Sequence, residues 1–334
     1  MYHMKIAVYE CEDWQEEYLR DRLEEHEVVF IHDTLSVTNV PADAEALIVF
    51  IWSQVTKEVL DVASNVRFVA TMSTGFDHID IEACKERNIV VSSVPFYGEN
   101  TVAEHTFALL LTISRNILPS VQRVKGGTFN PQGLRGWDLK GKTLGVIGTG
   151  SIGRHVIKMA RSFEMPVLAF DPFPKEGLDN ELGFSYVGLD HLLAHSDIVT
   201  LHCPYNEHTH HLLNDHNLSF IKQGAVVINT ARGGLIDSAA LLRALQEGRV
   251  SAAGLDVLEE EASIREEYQV LSPHFHQQGN LHRVVLEHVL IHHPRVIVTP
   301  HNAFNSIEAL ERILDTTIEN LHGFVRGQPI NTVN

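Results

Sequence analysis

Three segments of this chain carry side chains able to bind a small organic acid and move a proton on it. They are Asn229-Thr230-Ala231-Arg232-Gly233-Gly234, Gly254-Leu255-Asp256-Val257-Leu258-Glu259-Glu260-Glu261 and Thr299-Pro300-His301-Asn302-Ala303-Phe304. Each lies at or just past the C-terminal end of a strand-like apolar run, the edge where open α/β sheets place their ligands. An arginine holds a carboxylate through two parallel charge-assisted hydrogen bonds. A histidine exchanges a proton with an adjacent carbonyl or hydroxyl oxygen. A nearby carboxylate orients that imidazole and favours its protonated form. Arg232 and His301 fill the first two roles, and on chemistry alone Glu259, Glu260 and Glu261 all fit the third. Singly, each is equally at home in a solvated loop; together they suit a 2-keto or 2-hydroxy acid.

A fourth segment supplies a different chemistry. Gly148-Thr149-Gly150-Ser151-Ile152-Gly153 follows the apolar run Thr143–Ile147 and opens a helical pattern over Ser151–Phe163. This is the G-x-G-x-x-G turn between strand and helix. The first glycine permits the tight turn, the second admits a pyrophosphate, and the third allows close helix–strand packing. The helix N-terminus, with Gly148, Gly150, Ser151, Ile152 and Gly153 around it, then offers N–H groups and partial positive charge to phosphates. Asp171 ends the next strand, 21 residues after Gly150, and Pro172-Phe173-Pro174 rather than an arginine follows it. An acid there accepts from ribose hydroxyls and repels an extra phosphate, so NAD is expected rather than NADP.

These residues need two sheets to position them. Before residue 100, strands are expected at Lys5–Tyr9, Glu27–Phe30, Leu47–Ile51, Phe68–Thr71 and Ile89–Ser92, with helices at Trp14–Glu25, Lys57–Asp61 and Ile81–Arg87. Residues 143 to 300 repeat the alternation. Strands are expected at Thr143–Ile147, Val167–Phe170, Ile198–Leu201, Ala225–Asn229, Ala252–Asp256 and Val296–Thr299, with helices at Ser151–Phe163, Leu189–His195, Asn217–Lys222 and Ser238–Glu247. The pattern is α/β, doubly wound and parallel in both parts. Thr101–Arg115 is apolar on nearly every face and reads as a buried helix with a homodimer contact. Ser306–Phe324 is the last helical pattern.

Composition limits the partners. The chain has 334 residues, room for two cores, and a formal net charge of −17, which argues against nucleic acid and anionic membranes. Three widely spaced cysteines (Cys11, Cys84, Cys203) and an N-terminus running straight into a strand, without a signal peptide, suit a cytoplasmic protein with reduced thiols. Among 21 histidines, His208-x-His210-His211 lacks a partner at a metal-site interval, and no metal is expected. His274, His276, His282, His288, His292 and His293 cluster between the acidic and histidine segments, where mild acid would change the local charge.

The glycine turn, the arginine segment, the acidic segment and Pro300-His301, in this order, resemble the D-isomer-specific 2-hydroxyacid dehydrogenase family along nearly the whole chain. Tyr97 within Val94-Pro95-Phe96-Tyr97-Gly98, Phe304 and the long insertion between Glu261 and His301 are similar to its D-lactate dehydrogenase branch. The resemblance implies a Rossmann NAD domain at about 101–300, and a flavodoxin-like substrate domain from 1–100 plus 301–334, with the active site in the cleft between. It implies reversible reduction by NADH of a 2-keto acid, pyruvate first, to the D-2-hydroxy acid. Glyoxylate, hydroxypyruvate, phosphoglycerate or larger keto acids are alternatives, and an NAD(H)-sensing corepressor is a more distant one. By the same resemblance Arg232 takes the substrate carboxylate, His301 the proton, and Glu261, five residues beyond Asp256, pairs with His301. Thr74-Gly75 and Tyr97 fall on the substrate. Cys203, Pro204, Thr209, Thr230, Ala231, Arg232 and Asp256 fall along NAD, with Asp256 on the nicotinamide carboxamide. Cys203 stands where many relatives have valine, and a thiol beside the cofactor carries an expectation of oxidation sensitivity.

Overall fold

The computed structural model describes residues 3–259 and 281–334, with the backbone alone for 281–284. The chain forms two compact units, Met1–Tyr97 with Asn305–Asn334, and Gly98–Phe304.

In the first unit five parallel strands, β1 (Lys5–Tyr9), β2 (Glu27–Ile31), β3 (Ala46–Val49), β4 (Phe68–Thr71) and β5 (Val90–Ser92), lie in the order β2-β1-β3-β4-β5. This is the flavodoxin-like order. Every residue of β3 and β4 is buried, which is why they read as unbroken apolar runs rather than as alternation. Helices α1 (Asp13–Arg22), α2 (Lys57–Val62), α3 (Ile81–Glu86) and, from the end of the chain, α12 (Ile307–Val325) belong to this unit. The returning segment is built into it. Phe324 of α12 stacks on Phe68 with ring centroids 4.8 Å apart. Buried Asn320 donates to the Ser93 carbonyl at 2.9 Å. Beyond α12 the Ser93 and Val333 amides exchange bonds with Asn331 and Val91 across the edge of β5, each at 3.0 Å.

The second unit is a seven-stranded parallel sheet of β6 (Leu144–Ile147), β7 (Val167–Phe170), β8 (Ser185–Tyr186), β9 (Ile198–Leu201), β10 (Ala225–Asn229), β11 (Val250–Leu255) and β12 (Val296–Val298). Its order, β12-β11-β10-β9-β6-β7-β8, reverses direction between β6 and β9. That reversal is the switch point at which such sheets bind nucleotides. Its helices among the described residues are α4 (Glu99–Ser114), α5 (Ile117–Lys125), α6 (Ser151–Ser162), α7 (Leu178–Leu182), α8 (Leu189–His195), α9 (Asp215–Leu218), α10 (Ser238–Gln246) and α11 (Leu281–Ile291).

Several sequence expectations shift here. The two-residue β8 and the short or surface helices α5, α7 and α11 were not anticipated. α9 begins two residues earlier than expected because Asn214 caps it, its side chain accepting from the His216 and Asn217 amides. Thr101–Arg115 is the helix α4, but it is not apolar all round. Val102, Ala103, Phe107, Leu109 and Leu110 are buried within the unit, while Ala108 and Glu104 are exposed. The exposed apolar stripe lies instead on α5, where Ile117, Leu118, Val121 and Val124 are all uncovered. α4 packs on α6, β10 and β11. Gly254 permits the approach: a Cβ there would lie 2.9 Å from Ile228 Cδ1 and 3.1 Å from Leu109 Cβ. No helix among the described residues is long and apolar enough to cross a membrane.

Candidate active site

The glycine turn joins β6 to α6 as its sequence requires. Gly148 has φ +95°, and a Cβ on it would sit 2.6 Å from the His202 carbonyl oxygen at the end of β9. A Cβ on Gly153 would lie 2.1 Å from the Gly148 oxygen, so the third glycine lets the helix close on the turn. A side chain at Gly150 would meet no protein atom within 4 Å. The first-turn N–H groups of Ser151, Ile152 and Gly153 have no partner inside the helix by helix geometry, and Gly150 offers no side-chain cap. This is a cradle left open to a phosphate group.

Asp171 stands directly after β7. Its Oδ2 accepts from the Thr149 amide and hydroxyl, each at 2.8 Å, and its Oδ1 accepts from the Phe173 amide at 2.9 Å. The carboxylate is thus tied to the glycine turn itself. The Thr149 hydroxyl also meets the Tyr186 hydroxyl at 3.0 Å, which gives the short strand β8 a part in holding Asp171. After β9, the Thr209 hydroxyl donates to the Pro204 carbonyl at 2.7 Å and accepts from the Asn206 amide at 2.8 Å, which fixes the Cys203–Pro204 loop. Burial pushes the Cys203 thiol up to about 11, and Asp171 adds to that direction. The neutral thiol that results is a poor nucleophile toward oxidants. This environment works against the expected oxidation sensitivity of Cys203.

The arginine segment follows β10. Asn229, 1% exposed, accepts the Ala231 amide on Oδ1 at 3.0 Å and donates Nδ2 to the Arg232 carbonyl at 2.9 Å, and Arg232 Nη1 adds a bond to the Ala231 carbonyl at 2.8 Å. Thr230 Oγ1 lies 3.0 Å from Thr106 Oγ1 of α4. Gly233 is forced, since a Cβ on it would lie 2.1 Å from the Leu258 carbonyl.

The histidine segment is folded around Asp256, which is 1% exposed at the end of β11. The His301 amide donates to the Asp256 carbonyl at 2.8 Å. The next two amides, of Asn302 and Ala303, donate to Oδ1 and Oδ2 of the same residue at 2.8 Å each. The Thr299 hydroxyl donates to Oδ1 as well. Burial alone would raise the Asp256 carboxyl, but hydrogen bonds from His105, Thr299, Asn302 and Ala303 outweigh it and hold the group below its ordinary value. The clamp is therefore ionised at neutral pH, and its stabilisation is lost only as pH falls below the ordinary carboxylate range. His301 itself has φ +50°. A non-glycine residue in that region costs about 1–3 kcal/mol and persists where its surroundings over-determine it. The Asp256 amide bonds to the Asn229 carbonyl at 2.9 Å, so the two turns are adjacent strand ends joined directly. His301 thus belongs to the second unit and not, as expected, to the segment returning to the first, because Asp256 anchors its turn to the sheet.

In the first unit, Thr74 and Gly75 follow β4. The Thr74 hydroxyl donates to the Val94 carbonyl at 2.7 Å and the Ser73 hydroxyl to the Gly75 carbonyl at 2.6 Å. Among the described residues the Thr74 and Gly75 amides meet no acceptor. The Tyr97 carbonyl accepts from Arg312 Nε of α12 at 2.6 Å.

Residues 107–303 match the family model described as "D-isomer specific 2-hydroxyacid dehydrogenase, NAD binding domain". The chain is 34% identical over 334 residues to the D-lactate dehydrogenase of Escherichia coli strain K12, covering 97% of this chain and 98% of that one. The chain belongs to the D-isomer-specific 2-hydroxyacid dehydrogenase family. A glyoxylate reductase of Korarchaeum cryptofilum is 34% identical over 297 residues, covering 87% and 83% of the two chains. A D-lactate dehydrogenase from Aquifex aeolicus, solved with NAD and lactic acid, superposes with TM-score 0.84 at 35% identity, covering 97% and 96%. This dehydrogenase is accordingly an oxidoreductase acting on CH–OH groups with NAD, and the open Gly150 cradle fits that cofactor.

Within the dehydrogenase the turns that carry Arg232 and His301 meet at the Asp256 backbone. Glu261 and Glu260 lie outside the described residues. Glu259 is committed elsewhere: Oε1 is 2.6 Å from His211 Nε2, and Oε2 accepts the Ser238 amide at the start of α10 at 3.0 Å. That engagement removes Glu259 from the three acids that chemistry left open. It also explains His211, while His210 bonds the Tyr205 hydroxyl at 2.9 Å through Nδ1 and His208 is exposed. His274 and His276 lie outside the described residues. Among the described residues no three histidine, cysteine or acidic groups could share a metal. Sequence reasoning missed His105, whose contacts with Asp256 and Thr299 cross about 150 to 190 residues of chain. It also missed Thr106 on Thr230. No local signal announces either.

Proposed function

We propose that this dehydrogenase interconverts pyruvate and D-lactate. The observation that best supports the reading is the direct coupling of the arginine and histidine turns through the Asp256 amide and the Asn229 carbonyl, at the ligand-bearing edge of the sheet. Bound NADH supplies the hydride that reduces the carbonyl carbon. Arg232 holds the substrate carboxylate, and the open Thr74 and Gly75 amides and Tyr97 assist it. Protonated His301 gives its proton to the carbonyl oxygen as the hydroxyl forms, and in the reverse direction neutral His301 takes it back. Glu261 favours the protonated imidazole in this reading. Gly148, Gly150, Ser151, Ile152 and Gly153 hold the pyrophosphate and Asp171 the ribose. Cys203, Pro204, Thr209, Thr230, Ala231 and Asp256 line the remainder of the dinucleotide.

The substrate assignment leans on relatives of both kinds, the D-lactate dehydrogenases and the glyoxylate reductase. It is tested by kcat/KM with NADH across glyoxylate, pyruvate, hydroxypyruvate and a branched 2-keto acid. Pyruvate is expected to rank first. A rival that exceeded it tenfold would move the assignment to that acid, and no NADH oxidation with any of them would end the reading.

The protein is further proposed to be a cytoplasmic homodimer. Its three cysteines are free, which suits a reducing compartment. Ile117, Val121 and Val124 recur at helical spacing on α5 with no cover, and a second copy is the expected partner. Sedimentation should give a dimer for the natural protein and a monomer for Val121→Asp; a natural monomer would contradict it.

A further inference from the structure

Helix α4 carries two consecutive polar residues that touch the two functional turns separately. Thr106 Oγ1 reaches Thr230 Oγ1 in the arginine turn at 3.0 Å. His105 Nε2 reaches Thr299 Oγ1 at 3.1 Å and Asp256 Oδ1 at 3.3 Å in the histidine turn. The small Gly254 beneath the helix makes this reach possible by letting α4 approach β11.

The hydrogen assignments follow from the acceptors. The Asp256 carboxylate accepts only, and the Thr299 hydroxyl spends its hydrogen on Oδ1. The Thr299 oxygen and Oδ1 therefore both present lone pairs to His105 Nε2, which must carry a hydrogen whether the imidazole is neutral or charged. Nε2–H thus steadies the carboxylate oxygen that also receives the Asn302 amide. The same carboxylate takes the Ala303 amide on its other oxygen, and the carbonyl of its residue takes the His301 amide. His301 lies between these fixed points in a left-handed backbone conformation that it would leave if the points loosened.

We propose that His105 is a positioning residue, which acts through Asp256 and Thr299 to hold the His301 turn in the conformation that presents the imidazole for proton transfer. The proposal rests on the reading of His301 as the proton donor. It assigns His105 no contact with substrate or dinucleotide. Loss of its donor should therefore fall chiefly on the chemical step, with a smaller effect on NADH through Asp256, and a misplacement near 1 Å is enough to cost up to about a hundredfold.

The test measures kcat, KM for pyruvate and Kd for NADH in the full-length His105→Leu, His105→Gln and His301→Ala variants. His105→Leu is expected to lower kcat about tenfold or more while KM for pyruvate stays within about twofold and Kd for NADH rises by less than kcat falls. His105→Gln keeps an N–H near the Nε2 position and is expected to stay within about threefold of the natural protein. Thr299→Val and Thr299→Ser repeat the contrast on the other donor, and decide the matter should His105→Leu not fold. A normal kcat in His105→Leu, equal losses in the Leu and Gln variants, or a loss confined to NADH affinity would each overturn the proposal. If His301→Ala turned over normally, the underlying reading of His301 would fail instead. An inactive His301→Ala beside a normal His105→Leu would sink the positioning role alone.

Discussion

His301→Ala is expected to lower kcat for pyruvate reduction by about 10²–10⁴-fold, the usual worth of a positioned general acid, while Kd for NADH stays within about twofold. The separation follows from where each function sits. The dinucleotide cradle is the turn between β6 and α6, braced by Asp171 on Thr149, and no part of it depends on the His301 side chain. The backbone of the histidine turn is held by Asp256 through the amides of residues 301, 302 and 303, so removal of the imidazole leaves the turn its anchors. Alanine also tolerates φ +50° no better than histidine, so relief of strain cannot account for a loss of rate. Asp171→Ala supplies the opposite pattern, weaker NADH with the proton step intact. Stopped-flow turnover together with NADH fluorescence titration separates the two. A His301→Ala enzyme with near-normal kcat would refute the assignment of the proton donor.

Arg232→Gln is expected to lower kcat/KM for pyruvate roughly a hundredfold, mostly through KM, which corresponds to about 3 kcal/mol for a lost charge-assisted pair. The turn should survive the change because buried Asn229 keeps both of its bonds to it, although the Arg232 bond to the Ala231 carbonyl is lost. Lysine at this position would restore charge but not the planar fork, so Arg232→Lys should recover only part of the loss. Steady-state kinetics at saturating NADH measures it. A KM unchanged in Arg232→Gln would show that the carboxylate is held elsewhere.

Features encoded locally were legible before any coordinates. The glycine turn, the strands β1, β4, β7, β9 and β10, and the acid after β7 announce themselves through apolar runs and punctuation, and the family resemblance placed Arg232 and His301. What escaped was of two physical kinds. Some elements bury too little to imprint a pattern: β8 is two residues long, and α5 keeps its apolar stripe on the surface. Other features are contacts between residues far apart in the chain, as with His105 on Asp256 or His211 on Glu259. Asp256 shows both sides. The family resemblance named it as a site residue, but its grip on three successive amides depends on a left-handed turn at His301, and the only trace of that in sequence is the tolerance of His and Asn for such backbone.

His301 is expected to deliver a proton, and NADH a hydride, to one face of a small 2-keto acid. Chiral chromatography of the product from pyruvate and NADH, with NADH consumption followed in the same reaction, tests it most directly. D-lactate alone is expected, one equivalent for each NADH consumed, with its formation slowed by about 10²–10⁴-fold in His301→Ala. L-lactate, a racemate, or D-lactate formed undiminished by His301→Ala would contradict it.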